Sequence, residues 1–425
     1  MATEDARYRQ TSQFQLWSIS PTQLSAMREK TNAAARSRIA ERLASLPALA
    51  NTASAPTSSA NTPDPDGTST PALPEFLTAP EEAQLVTFFT SELLRAGDHA
   101  EMSDDIKATA AAFFRRFYVT NSIMTYPPQE MLIVALFFGC KAEGSFVSIT
   151  DFVKTFGRDN PEQILAGEFL LCQGLRFAID VKHPFRALRG ALMELAVLPD
   201  IDHARLGAAE NRAREILRFS PLITDAYFHY TPSQIMLAAL SLADRGLAER
   251  LITQTFHHVA PPNNDSGADT PAASGPDGNN KPAPRSGGED AAEIIGSHAR
   301  DRVLGTIEAC RDLLARELPE RREHWTNKAV IKAQITPLRK KLNKCRDPER
   351  WNLVELQRAR REQAAKRADS EDGDPDDRGG GGGNGAVDSD GAVFGDPLPP
   401  RDNNKRRKVV GVNGKGLDDP FGGPL

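Results

Sequence analysis

Tyr126-Pro127-Pro128-Gln129-Glu130-Met131-Leu132-Ile133-Val134-Ala135-Leu136-Phe137-Phe138 is the stretch on which the fold turns. From Met131 onward eight consecutive residues are apolar. A surface helix carries a polar stripe, whereas a helix apolar on every side has to be surrounded by other elements. The stretch therefore predicts the central helix of a bundle. It also recurs. Tyr126, Pro128, Ala135 and Leu136 reappear as Tyr230, Pro232, Ala239 and Leu240, each 104 positions on, and Met131-Leu132 becomes Ile235-Met236. Repeats of 20 to 50 residues indicate solenoids. A period near a hundred indicates two copies of a whole small domain.

Around both copies the pattern is helical. Residues 106–117 place apolar side chains at helical spacing. Thr78 with Glu81 and Asn160 with Gln163 have the spacing of capping boxes, each with Pro just after the cap. A third such start is Ser20, followed by Pro21 and Gln23, and predicts a helix over 20–44. Convincing strands are few. Residues 46–74 are rich in Ala, Ser, Thr and Pro, 261–288 in Asn, Asp, Pro and Gly, and 369–425 include the run Gly379 to Gly383. Such compositions cannot bury enough apolar surface to order a chain, and predict linkers.

Composition excludes several functions. Net charge is −5, which argues against a wholesale nucleic-acid or membrane binder. No apolar run reaches the length of a membrane span. The first residues, Met1-Ala2-Thr3-Glu4-Asp5, do not resemble a signal peptide. Cys140, Cys172, Cys310 and Cys345 form no C-x-x-C pair. Cys140 and Cys172 lie in apolar helical runs and read as reduced core thiols. The glycine run lacks the Lys-Ser/Thr of a phosphate loop, no kinase catalytic motif occurs, and the eight histidines suggest neither a metal site nor a triad. Catalytic residues, cofactors and metals are therefore not expected.

Several segments resemble the cyclin family. Phe113-Phe114-Arg115-Arg116-Phe117-Tyr118-Val119-Thr120-Asn121-Ser122 is similar to the second helix of the first cyclin box. Phe137-Phe138-Gly139-Cys140-Lys141-Ala142-Glu143 resembles the end of its third helix, and residues 162–171 resemble its fifth. Thr224-Asp225-Ala226-Tyr227 with Tyr230-Thr231-Pro232-Ser233-Gln234-Ile235 is similar to the second box of the cyclin H group, as is Gln13-Phe14-Gln15-Leu16-Trp17-Ser18 to its N-terminal segment. The resemblance covers most of 8–256. It implies an all-α protein of two tandem five-helix boxes: an N-terminal helix in 1–46, a disordered linker 47–77, a first box 78–181, and a second box 182–320 with a disordered insert 261–288. Basic C-terminal helices at 321–368 and a disordered tail at 369–425 complete the expected layout.

Cyclins do no bond chemistry, so the resemblance implies a regulatory subunit that binds and activates a cyclin-dependent kinase. The partner face it implies is the end of the third helix plus the fifth: Lys141, Ala142, Glu143, Glu168, Cys172 and Phe177. Lys141 and Glu168 match the family's mutually paired, kinase-facing residues. Spacing puts Glu168, Cys172 and Leu175 on one helical face. Trp17 is expected to pack its helix onto the boxes. Membership of the cyclin H group further implies a RING-finger assembly factor, the CDK-activating kinase, transcription factor II H, phosphorylation of the RNA polymerase II C-terminal repeats and a nuclear location. Lys405-Arg406-Arg407-Lys408 resembles a nuclear import signal. A transcriptional cyclin of the C, K or T type and a TFIIB-like basal factor are the alternatives; the latter would need basic repeats and usually a zinc ribbon. The basic stretch that runs from Arg321-Arg322 through Arg339-Lys340-Lys341 to Arg367 reads as a solvated helical surface. Without a stacking platform or reading motif, direct nucleic-acid binding is not expected. Asp347 and Pro348 are expected to start the last helix.

Overall fold

The computed structural model describes residues 4–45, 73–157, 161–257 and 287–371, and among these there are helices and no strand. The chain enters through α1 (Glu4–Arg9), α2 (Ser12–Trp17) and α3 (Pro21–Ser45). A first group follows: α4 (Ala79–His99), α5 (Asp104–Thr120), α6 (Pro128–Ala142), α7 (Ile149–Thr155) and α8 (Glu162–Gly174). The second group is α9 (Pro184–Ala196), α10 (His203–Leu217), two one-turn helices α11 (Ser220–Ile223) and α12 (Ala226–His229), then α13 (Pro232–Ala243), α14 (Arg245–His257) and α15 (Gly287–Ala315). A 3-10 turn, Pro319–Arg321, leads to α16 (Arg322–Thr326), α17 (Lys328–Val330), a π-helical turn Ile331–Ile335, α18 (Thr336–Lys344) and α19 (Leu353–Glu371). Of the expected disordered segments 47–77, 261–288 and 369–425, residues 47–72, 261–286 and 372–425 lie outside the described residues, as does the Asn160 cap. The described ends differ from the expectation, since Leu77 is buried and accepts from Asn32, α15 starts at Gly287 and α19 runs to Glu371.

The repeated stretch is the centre of each group. α6 packs against α4, α5 and α8, and Met131 through Phe137 are buried on every side. α13 packs against α9, α10, α14 and α15 and buries Ile235, Met236, Ala238, Ala239 and Leu240. Both helices begin on a proline, whose fixed φ suits the first turn. Capping follows the sequence. Thr78 and Glu81 form a reciprocal box, and Ser20 exchanges bonds with Gln23. Each such cap is worth about 1 kcal/mol.

The last helix starts later than expected. Asp347 is buried; its carboxylate accepts from the Glu349 and Arg350 amides and pairs with Arg42 of α3. It therefore closes a turn, and Asn352 caps α19 instead, accepting from Val354 N and Glu355 N.

The flanking helices are tied to both groups. Trp17, 1% exposed, packs with Ile19 and Leu24 against Val119 of the first group and Phe228 of the second, as the sequence predicted. Beneath it lies the buried Arg116 guanidinium, 5.4 Å from the ring, whose pKa burial lowers to about 10. Gln13 accepts from Lys182 N, and Ile19 N donates to Phe228 O. Asp225, just ahead of α12, bonds Arg28 of α3 and Arg115 of α5 at 2.6–2.8 Å. Burial alone would raise that carboxyl, but the two guanidiniums outweigh it and hold it well below the carboxylate range. At the other end α18 packs on α4, and α19 packs on α8.

Candidate functional site

α6 is too apolar to meet solvent before its last turn, and there it presents Lys141, a cation where the helix dipole favours one. Lys141 Nζ lies 2.6 Å from Glu168 Oε1 of α8 and 4.5 Å from the centre of the buried Phe137 ring. The pair is partly solvated, so in the free protein it contributes about 0–1 kcal/mol. Ala142 is exposed beside it. Glu143 is exposed too, but one carboxylate oxygen reaches the buried Thr109. Its Oε1 accepts from Thr109 Oγ1 at 2.5 Å, Thr109 lies 2.7 Å from His183 Nε2, and His183 Nδ1 lies 2.9 Å from the Tyr227 hydroxyl. Burial, reinforced by Arg116, pushes the imidazole down to about 3, so His183 is neutral.

α8 is held close to α6. A Cβ on Gly167 would stand 2.6 Å from Val134 Cγ2, a distance the packing does not allow. Ile164, Ala166, Gly167, Leu170 and Leu171 are buried and share one side of the helix. The other side nevertheless carries two large apolar side chains in solvent: Leu165 is 43% exposed and Phe169 56%, with Glu168 and Cys172 beside them. Burial, then the Glu168 charge, raise the Cys172 thiol pKa, so it is not a reactive thiolate. Beyond α8, Arg176 and Phe177 both adopt left-handed backbone, φ 54° and 56°. This costs non-glycine residues roughly 1–2 kcal/mol each, and it leaves Phe177 66% exposed. The loop after α6 exposes Phe146 as well.

The structure thus brings Lys141, Ala142, Glu143, Glu168, Cys172 and Phe177 to one end of the first group, with the Glu143 carboxylate bonded to Thr109. Cys172 is only half-buried, unlike the core thiol Cys140. Leu175, placed with Glu168 and Cys172 by spacing, is fully buried and belongs to the core. Leu165, Phe169 and Phe146 were missed, because apolar periodicity does not separate core-facing from partner-facing residues. Among the described residues no cluster of His, Cys, Asp and Glu could hold a metal ion, and no helix is long and apolar enough to cross a membrane.

These features define a helical scaffold that carries exposed apolar side chains at the end of its first group. A family model for the cyclin C-terminal domain matches residues 183–315. A chain in the structure of the CAK complex from Chaetomium thermophilum bound to ATP-gamma-S is 65% identical, with a TM-score of 0.71, and the match covers 89% of this chain and 100% of that one. This chain belongs to the cyclin family. Within it the similarity runs to cyclin H and its yeast counterpart. Cyclin CCL1 of Saccharomyces cerevisiae is 29% identical over 256 residues, 60% of this chain, and Cyclin-H of Xenopus laevis is 35% identical over 153 residues, 34% of this chain. The match spans 62% of the yeast protein's length and 46% of the frog protein's.

Proposed function

We propose that this chain is a cyclin H-like, non-catalytic subunit that binds and activates a cyclin-dependent kinase through the end of α6 and the outer stripe of α8. The two groups, the second with two additional one-turn helices α11 and α12, would be the two cyclin boxes. The observation that carries the proposal is α8. On the side opposite its buried stripe the helix exposes Leu165 and Phe169, and the strained backbone after it holds Phe177 outward. Apolar patches of this kind mark docking sites, and strain of this kind is kept where function uses it. The 65% identity to a chain of a CAK complex points to the same role.

Physically, the docked face acts on an equilibrium. A protein kinase is active only when a glutamate on its mobile helix pairs with the ATP-binding lysine. A surface that binds the assembled arrangement more tightly than the open one shifts the population toward activity. Leu165, Phe169 and Phe177 supply apolar anchors, and the Lys141–Glu168 pair fixes the orientation of α6 against α8 and offers polar groups to the kinase backbone. Glu143, held by Thr109, positions the turn that follows Lys141. Further members of the assembly would be a RING-finger assembly factor and transcription factor II H, with the complex in the nucleus acting on the RNA polymerase II C-terminal repeats. Reconstitution with a cyclin-dependent kinase tests the proposal. Kinase activity should rise on adding the parent chain and should not rise with Phe169→Glu, whose melting temperature stays that of the parent. Full activation by that variant would refute the docking face.

A further inference from the structure

The net charge of −5 conceals an uneven distribution. Residues 327–346 contain Lys328, Lys332, Arg339, Lys340, Lys341, Lys344 and Arg346 and no Asp or Glu. The structure makes this stretch one nearly continuous helical surface through α17, the π-helical turn and α18. Its apolar side is committed to the core: Ile335 and Leu342 are buried, and Ile331 and Leu338 pack against the core. Its outer side exposes Lys328, Lys332, Arg339, Lys340, Lys344 and Arg346.

The neighbouring acids are already engaged. Glu75 and Glu81 bond Lys341, Glu92 bonds Arg95, and Asp347 and Glu349 bond Arg42. Lys328, Lys332, Lys340 and Lys344 form no ion pair among the described residues. The spread from Lys328 to Lys344 is about 24 Å along a helix rising 1.5 Å per residue. Arg346 stacks on the half-exposed Trp351 ring, which fixes its guanidinium at the edge of the strip.

We infer that this strip binds the phosphate backbone of nucleic acid without reading its sequence. Two observations favour phosphates over an acidic protein. A protein interface needs an apolar core with aromatic anchors, and the outer side of 328–344 exposes no large apolar residue. Phosphate contact needs only unpaired cations along a line, since the affinity comes from release of condensed counterions. The absence of a stacking platform or reading motif removes sequence specificity, not backbone binding. The strip is distinct from the proposed kinase face, because α18 packs on α4 and the exposed apolar stripe is on α8.

The test is fluorescence anisotropy of a labelled random-sequence DNA duplex with the full chain, over about 50–200 mM salt. The parent should bind, with log K falling linearly in log salt. A variant carrying Lys332→Gln, Arg339→Gln, Lys340→Gln and Lys344→Gln should show a slope shallower by about 3–4 and at least tenfold weaker binding at the low-salt end. Its circular dichroism melt should match the parent, since all four side chains are exposed. A second variant neutralising Lys405, Arg406, Arg407 and Lys408 should keep most of the slope. Absence of binding at low salt, or an unchanged slope in the α18 variant, overturns the inference. So does loss of binding only in the 405–408 variant, or displacement of the DNA by a poly-glutamate peptide at equal charge.

Discussion

α8 and α15 each close one group, yet they present opposite faces to solvent. α8 exposes Leu165 and Phe169, whereas the outer residues of α15 include Arg300, Asp301, Arg302, Glu308 and Asp312. The ion pairs differ in the same way. The 104-residue offset carries Lys141 to Arg245, and Arg245 faces Glu308 of α15 as Lys141 faces Glu168 of α8. In the first group the contact is 2.6 Å beside a row of exposed hydrophobics; in the second it is 3.6 Å between side chains more than half exposed. Among the described residues, α8 leaves two large apolar side chains in solvent and α15 leaves none. The packing around a central apolar helix is common to both groups, and the exposed apolar pair on α8 is what motivates the proposed docking face.

The largest effect that would sharpen this contrast comes from the two ion pairs. When a kinase covers the first group, Lys141 and Glu168 lose water, and removing one strands the other at a cost of about 3–5 kcal/mol. Lys141→Ala or Glu168→Ala should then weaken kinase binding by roughly a hundredfold to a few thousandfold with an unchanged melt. Arg245→Ala, the matching change in the second group, should leave affinity as it was. Titration calorimetry against the kinase reads all three, and an equal loss in Arg245→Ala would erase the contrast.

Next comes a test of whether the docking face depends on the junction between groups. Asp225→Asn leaves the buried Arg115 without its carboxylate, so the melt should drop by about 3 kcal/mol of stability. Kinase affinity measured below the melt should change little. Because the folded-state carboxyl is depressed, the stability from Asp225 is present at neutral pH. It is lost as pH falls below the unfolded-state value of about 4 toward the lower folded one. The parent should therefore lose more stability on acidification than Asp225→Asn, and parallel curves would show that the triad contributes nothing.

Phe169→Ala removes one exposed anchor and should cost about 2 kcal/mol of binding, roughly thirtyfold, with no loss of folding stability. Glu308→Ala on α15 should cost nothing, and surface plasmon resonance compares the two.

The smallest effect concerns Glu82 of α4, in the first group's interior. Burial raises its carboxyl to about 7 despite the Ser122 hydroxyl that donates to it. A raised folded-state value means stability declines as pH climbs from about 4 to 7, where the folded state keeps a proton that the unfolded chain has lost. Glu82→Gln should flatten that decline and stabilise the protein by on the order of 1–3 kcal/mol at pH 8, leaving kinase affinity unchanged. A decline that persists in the variant would assign it to other groups.

The central helices were legible because burial on all sides leaves no polar stripe, and Met131 to Phe138 show none. Caps such as Thr78–Glu81 were legible because they are local. The start of α19 was misread because Asp347, a good cap in sequence, is used up by a distant residue, Arg42, 305 positions away. Lys141 and Glu168 came from resemblance alone, since nothing local distinguishes them from solvated charges. Leu165 and Phe169 were invisible for the opposite reason: in an apolar helix, the residues that face a partner look like the ones that face the core.

Side-chain oxidation footprinting tests the central claim most directly, because both groups expose oxidisable residues. Phe169, Cys172 and Phe177 lie on the proposed face, and Met193, 66% exposed on α9, lies in the second group. Hydroxyl-radical labelling of the full chain with and without kinase should show strong protection of Phe169, Cys172 and Phe177 and none of Met193. Protection of Met193 with Phe169 and Phe177 oxidised as before would place the kinase on the other group and contradict the account.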